Sequence, residues 1–166
     1  NIVVRKIDFR SSLHATNTGQ VLNYVEDTPR KVNKMEVVSP NTNVNMSMVL
    51  SKPVAGSLNE WSVPGATSKY NVPLGSWDAW GTVSGVNTLL GNLTFTPKKD
   101  YNENFDIDLS IKDGKCGDIS NCINVIGIPV NDPPKVTTTV TDLSYICSDG
   151  EKIVDNAFTI IDTDSA

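Results

Sequence analysis

Phe105-Asp106-Ile107-Asp108-Leu109-Ser110-Ile111 places four apolar residues at every second position, with three polar residues between them. Side chains of a β-strand point alternately to its two faces, so this run predicts a strand with one face in a core and one in water. Helical spacing would instead repeat the apolar residues at intervals of three and four. Val44, Met46, Met48 and Leu50 follow the same pattern around Asn45 and Ser47, and Leu93 and Phe95 follow it up to Pro97. Ile123 and Val125, then Ile126, Ile128 and Val130, predict another strand, with a bulge where the alternation changes phase. Turn-forming clusters separate these runs, at Ser39-Pro40-Asn41, Pro64-Gly65, Pro73-Leu74-Gly75 and Asp113-Gly114. Short strands punctuated in this way predict an all-β sandwich. Only residues 84–90 read as helical, with Val86, Leu89 and Leu90 fitting one turn.

An internal repeat organises the chain. Leu22-Asn23-Tyr24-Val25 returns 121 residues later as Leu143-Ser144-Tyr145-Ile146, and Lys31-Val32 returns at the same offset as Lys152-Ile153. Carried backwards, the offset sets Ile2, Val4 and Ile7 on Ile123, Val125 and Ile128. One frame accommodates all of these matches. Residues 1–14 read as the last strand and linker of one repeat, 15–133 as a complete repeat, and 134–166 as the start of the next.

Composition narrows the function. The 166 residues carry 14 Lys and Arg against 19 Asp and Glu, a net charge of −5, which opposes binding to nucleic-acid phosphates. No apolar run reaches the roughly 20 residues of a membrane-spanning helix. His14 is the sole histidine, and no Gly-rich phosphate loop joins a strand to a helix, so an enzyme is not expected. Cys116 and Cys122 bracket a short polar segment between two strand-like runs. A disulfide there would staple a hairpin and imply an oxidising compartment. Cys147 is then expected to be either a buried free thiol or half of a bond whose partner lies outside these residues.

Two sequons, Asn45-Met46-Ser47 and Asn92-Leu93-Thr94, present their Asn on the solvent face and are acceptors for N-glycosylation in a eukaryotic secretory pathway. Trp61, Trp77 and Trp80 fall in a Gly/Pro-rich stretch, residues 56–81. At least one is expected in the core. An exposed one would suit stacking on a sugar ring or a protein contact.

Gly81-Thr82-Val83, the run from Val86 to Pro97, Asp100-Tyr101-Asn102, Lys112-Asp113-Gly114 and Pro129-Val130-Asn131-Asp132-Pro133-Pro134 follow one another in a telling order. That succession resembles the back half of the cadherin-like repeats of very large surface proteins, and Val25-Glu26-Asp27-Thr28-Pro29 resembles their opening. The resemblance covers roughly residues 20–166. It implies a Greek-key β-sandwich of about seven strands whose termini lie at opposite ends, so that copies join in a tandem extracellular or cell-surface array. It also implies calcium at the junctions, a hard cation held by carboxylate and carbonyl oxygens. Carried over by position, Glu26, Asp100, Asn102, Asn131, Asp132, Asp162 and Asp164 are the ligands implied at the downstream junction.

The departures from the family pattern are specific. Pro129 and Pro133 replace an Asp and an Asn of the junction motif, and Asn102 replaces a Glu. Ser39-Pro40-Asn41 occupies the Asp-x-Asp position, and the linker Arg10-Ser11-Ser12-Leu13 lacks Asn-Asp-Pro-Pro, so no calcium is expected upstream. Downstream, Pro133-Pro134 offers stiffness without metal by fixing φ. The function implied is a structural or adhesive spacer in a surface filament or adhesin. Its partners are neighbouring repeats of the same chain or, in a fibre, identical chains. The alternative is a module that binds surface glycans or proteins through the Trp-bearing segment 56–81, read as a loop inserted relative to the resembling repeats.

Overall fold

The computed structural model describes residues 12–115, 117–139, 142–148 and 150–162. The chain forms two compact units that divide between Pro129 and Val130. The first contains β1 (His14–Thr16), β2 (Val21–Val25), β3 (Arg30–Lys31), β4 (Glu36–Val38), β5 (Asn43–Leu50), β6 (Gly56–Leu58), β7 (Ser62–Val63), β8 (Ala66–Asn71), β9 (Ser76–Thr82), α1 (Val83–Leu90), β10 (Thr94–Pro97), β11 (Phe105–Lys112) and β12 (Asp118–Ile128). Seven strands join one mixed sheet in the order β2-β12-β11-β5-β9-β8-β7, while β3-β10-β6 form a second sheet and β1 pairs with β4. The first unit is an all-β sandwich.

The alternation predicted for β11 and β5 builds its core. Phe105, Ile107, Leu109 and Ile111 turn inward from β11, as do Val44, Met46, Met48 and Leu50 from β5. The strands pair with Ile107 opposite Leu50, Leu109 opposite Met48 and Ile111 opposite Met46. A slip of one residue would turn either row to water, so burial itself fixes the register. Leu58, Leu93 and Phe95 join the same core. Tyr24 meets Phe95 edge to face at 5.3 Å and Phe105 at 6.1 Å, an arrangement that the ring quadrupoles favour.

Three local expectations are corrected. The helix runs eight residues instead of one turn, because Thr82 Oγ1 caps it by accepting the Gly85 N–H while Val86, Leu89 and Leu90 bury one side. β12 carries no bulge. Its pairing with β11 and then with β2 runs without interruption, and Ile126 and Ile128 face outward. The apparent change of phase comes from apolar residues on the outer face, not from an extra residue. The third correction concerns residues 56–81, which form strands β6 to β9 and not an inserted loop, with Pro64-Gly65 and Pro73-Leu74-Gly75 at turns between them. Gly65, for example, adopts φ 85° between β7 and β8, where an L side chain would be strained.

The second unit contains β13 (Lys135–Thr137) and β14 (Thr159–Ile161), paired antiparallel with Val136 opposite Ile160. None of its described residues is buried. Its strand pair has a counterpart in the first unit. β13 lies 121 residues after β1, and Val136 faces Ile160 as Ala15 faces Val37. Val37 and Ile160 are 123 residues apart, so the second connection is two residues longer. Among the described residues, no helix is long and apolar enough to cross a membrane.

Candidate functional site

Four polar residues gather where β2 ends and β11 begins. Strand phase explains the first. Leu22 and Tyr24 point inward from β2, and Glu26 continues the same phase, so its carboxylate is buried. The Glu26 N–H donates to the carbonyl of Ile128 at the end of β12, at 3.1 Å. Asn102 donates its side-chain N–H to Glu26 Oε2, also at 3.1 Å.

Asp27 and Asp100 complete the group. Both adopt left-handed backbone, φ 57° and 58°, a region that Asp tolerates better than most residues. The Asp100 N–H donates to Asp27 Oδ1 at 2.9 Å, so one carboxylate holds the turn that carries the other. Lys99 reaches Asp100 Oδ2 at 3.0 Å, while Asp100 Oδ1 is buried without a hydrogen-bond partner. Three carboxylates and an amide oxygen are hard donors of the kind calcium takes, and an orphaned buried carboxylate oxygen fits a cation.

Tyr24 closes the inner side of this end, donating its hydroxyl to the Glu103 carbonyl at 2.9 Å. Burial pushes its phenol up to about 12, with Tyr101, Glu26 and Glu103 adding to the effect. Nearby, the ion pair and hydrogen bond from Lys52 hold Glu103 below the usual carboxylate range.

The structure therefore brings Glu26, Asp100 and Asn102 together and adds Asp27, which the sequence reading did not select. Asn131, Asp132 and Asp162 belong to the second unit, where Asn131 donates its side-chain N–H to the Asp132 carbonyl and Asp162 is exposed. Asp164 lies outside the described residues, as does Cys116. Cys122 carries a free thiol opposite Asp108, well inside the β11–β12 pairing, where burial and the carboxylates of Asp106 and Asp108 raise its pKa. Cys147 is exposed, which corrects the expectation of a buried thiol. Asn45 and Asn92 are both exposed, the first on β5 and the second in the turn after α1, where it donates to the Thr88 carbonyl.

The three tryptophans have separate fates. Trp77 is fully buried and donates its indole N–H to the Asn59 carbonyl at 3.0 Å. Trp61 is half-buried against the core, between backbone and side-chain bonds to Ser68. Trp80 stands on the outer face of β9, 46 % exposed. No protein-family model matches the chain, and no curated protein matches it.

Proposed function

We propose that the chain is part of an extracellular structural repeat array, a spacer in a surface filament or adhesin. In this reading calcium binds the acidic end of the first unit. One observation carries the repeat reading: the β1–β4 pair and the β13–β14 pair fall 121 and 123 residues apart with equivalent residues facing each other. Coincident apolar residues are common in β proteins, but an equivalent strand pairing within two residues of that offset requires the local fold to recur as well.

The calcium reading rests on charge. Asp27 and Asp100 bring two carboxylates into one turn contact, and like charges at that range repel. A divalent cation offsets that repulsion and ties β2, the turn at Asp100 and the start of β11 together. Glu26, Asp27, Asp100 and Asn102 would be its ligands, with water or further protein oxygens completing the six to eight that calcium takes.

Thermal melting in calcium and in a chelator tests the metal. A higher melting temperature in calcium is expected, lost in Asp27→Asn and Asp100→Asn. Identical curves for the parent chain in both conditions would remove calcium from the reading. Amide exchange in the parent protein with its flanking sequence tests the array. Protection of residues 143–146 is expected there, and their continued free exchange would defeat the repeat assignment.

A further inference from the structure

The outer face of the seven-stranded sheet carries a feature that a spacer does not need. Along β9 the residues Ser76, Asp78 and Trp80 alternate with buried Trp77 and Ala79, so the last indole lies on the solvent face. Cross-strand pairing surrounds it with small polar groups. Asn45 of β5 and Thr67 of β8 stand opposite Trp80, and Ser47 and Lys69 stand opposite Asp78. Directly opposed residues have Cβ atoms about 4.5–5.5 Å apart, close enough for one small ligand to touch several of them.

Two hollows meet at this point. One, of about 320 Å³, lies between Trp80 and Asp78 on one side and Asn45, Ser110 and Lys112 on the other. The second, of about 520 Å³, lies on the other flank of the same Trp80 and Asp78, against Asn71 and Pro73. Trp80 and Asp78 are therefore a shared ridge, with room for a ligand on both sides. Ser76 Oγ approaches Asp78 Oδ2 at 3.4 Å and helps set the carboxylate's direction.

The kind of ligand follows from what this surface offers and lacks. β9 is paired on both sides, to β5 and β8, so no free backbone edge is available for a peptide to add a strand. The net charge of −5 and a carboxylate beside the indole oppose a phosphate-bearing ligand. What remains is a flat apolar ring beside neutral amides and hydroxyls, with the Asp78 carboxylate, which only accepts hydrogen bonds, and two lysines, Lys69 and Lys112, that are ion-paired to Glu60 and Asp118. A ligand with an apolar ring face and a rim of hydroxyl donors matches that set, as in sites where a few placed polar groups orient an otherwise apolar contact.

We propose that this face binds a linear neutral oligosaccharide, with one pyranose ring stacked on Trp80, its hydroxyls held by Asp78 and Asn45, and neighbouring rings in the two hollows. The proposal does not depend on calcium or on the repeat array.

The test uses the chain made in a bacterial host, free of N-linked glycan, titrated with cello-, chito-, xylo- and manno-oligosaccharides while the Trp80 indole N–H resonance is followed. At least one should shift that resonance to saturation. Trp80→Ala should then weaken binding by about tenfold or more, and Asp78→Asn by about threefold, with melting temperature unchanged in both. No shift with any of the four overturns the proposal, as does undiminished binding by Trp80→Ala. Two further outcomes also overturn it. One is a dimer in sedimentation that Trp80→Ala dissociates, which would make a second copy the occupant. The other is protein from a eukaryotic secretory host whose glycan on Asn45 blocks the titration until Asn45→Gln restores it, which would make the chain's own glycan the occupant.

Discussion

Leu22, Tyr24 and Val32 of the first unit are 0, 1 and 2 % exposed, whereas Leu143, Tyr145 and Ile153, their counterparts at the same spacing, are 47, 59 and 76 % exposed. The side chains are alike, so the difference lies in what meets them. In the first unit, β2 runs parallel to β12, a strand some hundred residues further along, and Tyr24 packs on Phe95 and Phe105. In the second, residues 142–146 form no strand. The β1–β4 and β13–β14 pairs, by contrast, form one in each unit, because each joins strands some twenty residues apart in sequence and not a hundred. Local pairing survives without a core, while parallel pairing and burial depend on distant segments, whose closure costs more chain entropy.

The largest effect should come from truncating the buried member of each matched pair. Tyr24→Ala should cost about 3–5 kcal/mol and Tyr145→Ala less than about 0.5 kcal/mol, read by urea unfolding with the fluorescence of buried Trp77. Equal costs for the two would erase the contrast. The parallel seam itself is tested by Gly127→Ala. A Cβ there would meet the Asn102 carbonyl oxygen at 2.0 Å and the Tyr24 hydroxyl at 2.9 Å, so a loss of about 3 kcal/mol is expected. An unchanged urea midpoint would mean that the seam is looser than its geometry.

Smaller and more specific is the alkaline response of Tyr24. Its folded pKa of about 12 exceeds the ordinary phenol value of 10.0. The folded state therefore keeps a proton that the unfolded chain releases, and stability should fall as pH rises from 10.0 to about 12. Tyr24→Phe should flatten this decline, and an equal decline in that variant would assign it elsewhere. The smallest effect belongs to the second unit. Asp155 accepts the N–H groups of Thr139 and Ala157 at 2.7 and 2.8 Å, and these bonds lower its pKa. That contribution is present above the unfolded carboxylate value and is lost as pH falls through the lower folded one. The protection of the Ala157 amide, taken relative to intrinsic exchange at each pH, should fall over that acid range and stay constant there in Asp155→Asn.

Much of the acidic end was legible in the sequence. Glu26 continues the inward phase of Leu22 and Tyr24, and a carboxylate in core phase is itself a signal for a charged or metal-binding site. Asp27 was harder to select because it points outward in that phase and reaches Asp100 only through two left-handed turns. The bulge assigned to β12 failed for a related reason: outward Ile126 and Ile128 imitate a phase shift in sequence, and only the unbroken register with β2 reveals their face. Pro64-Gly65 and Pro73-Leu74-Gly75 marked turns correctly, but the strands beside them are two to seven residues long and carry too little alternation to be seen.

By itself, the sequence determined the two central core strands β5 and β11, several of the turns and the recurrence at 121 residues. These are local or periodic properties, written in side-chain alternation and backbone preference. Trp77 and Trp80, three residues apart, had to take opposite faces of any strand that held both. Which of them entered the core was settled only by tertiary pairing, when β9 met β5 with Met48 opposite Trp77 and Asn45 opposite Trp80. The same long-range pairing brought Glu26, Asp27, Asp100 and Asn102 to one end and left Leu143 and Tyr145 in water. Alternation decides that a strand has two faces; contact with the rest of the fold decides which one is inside.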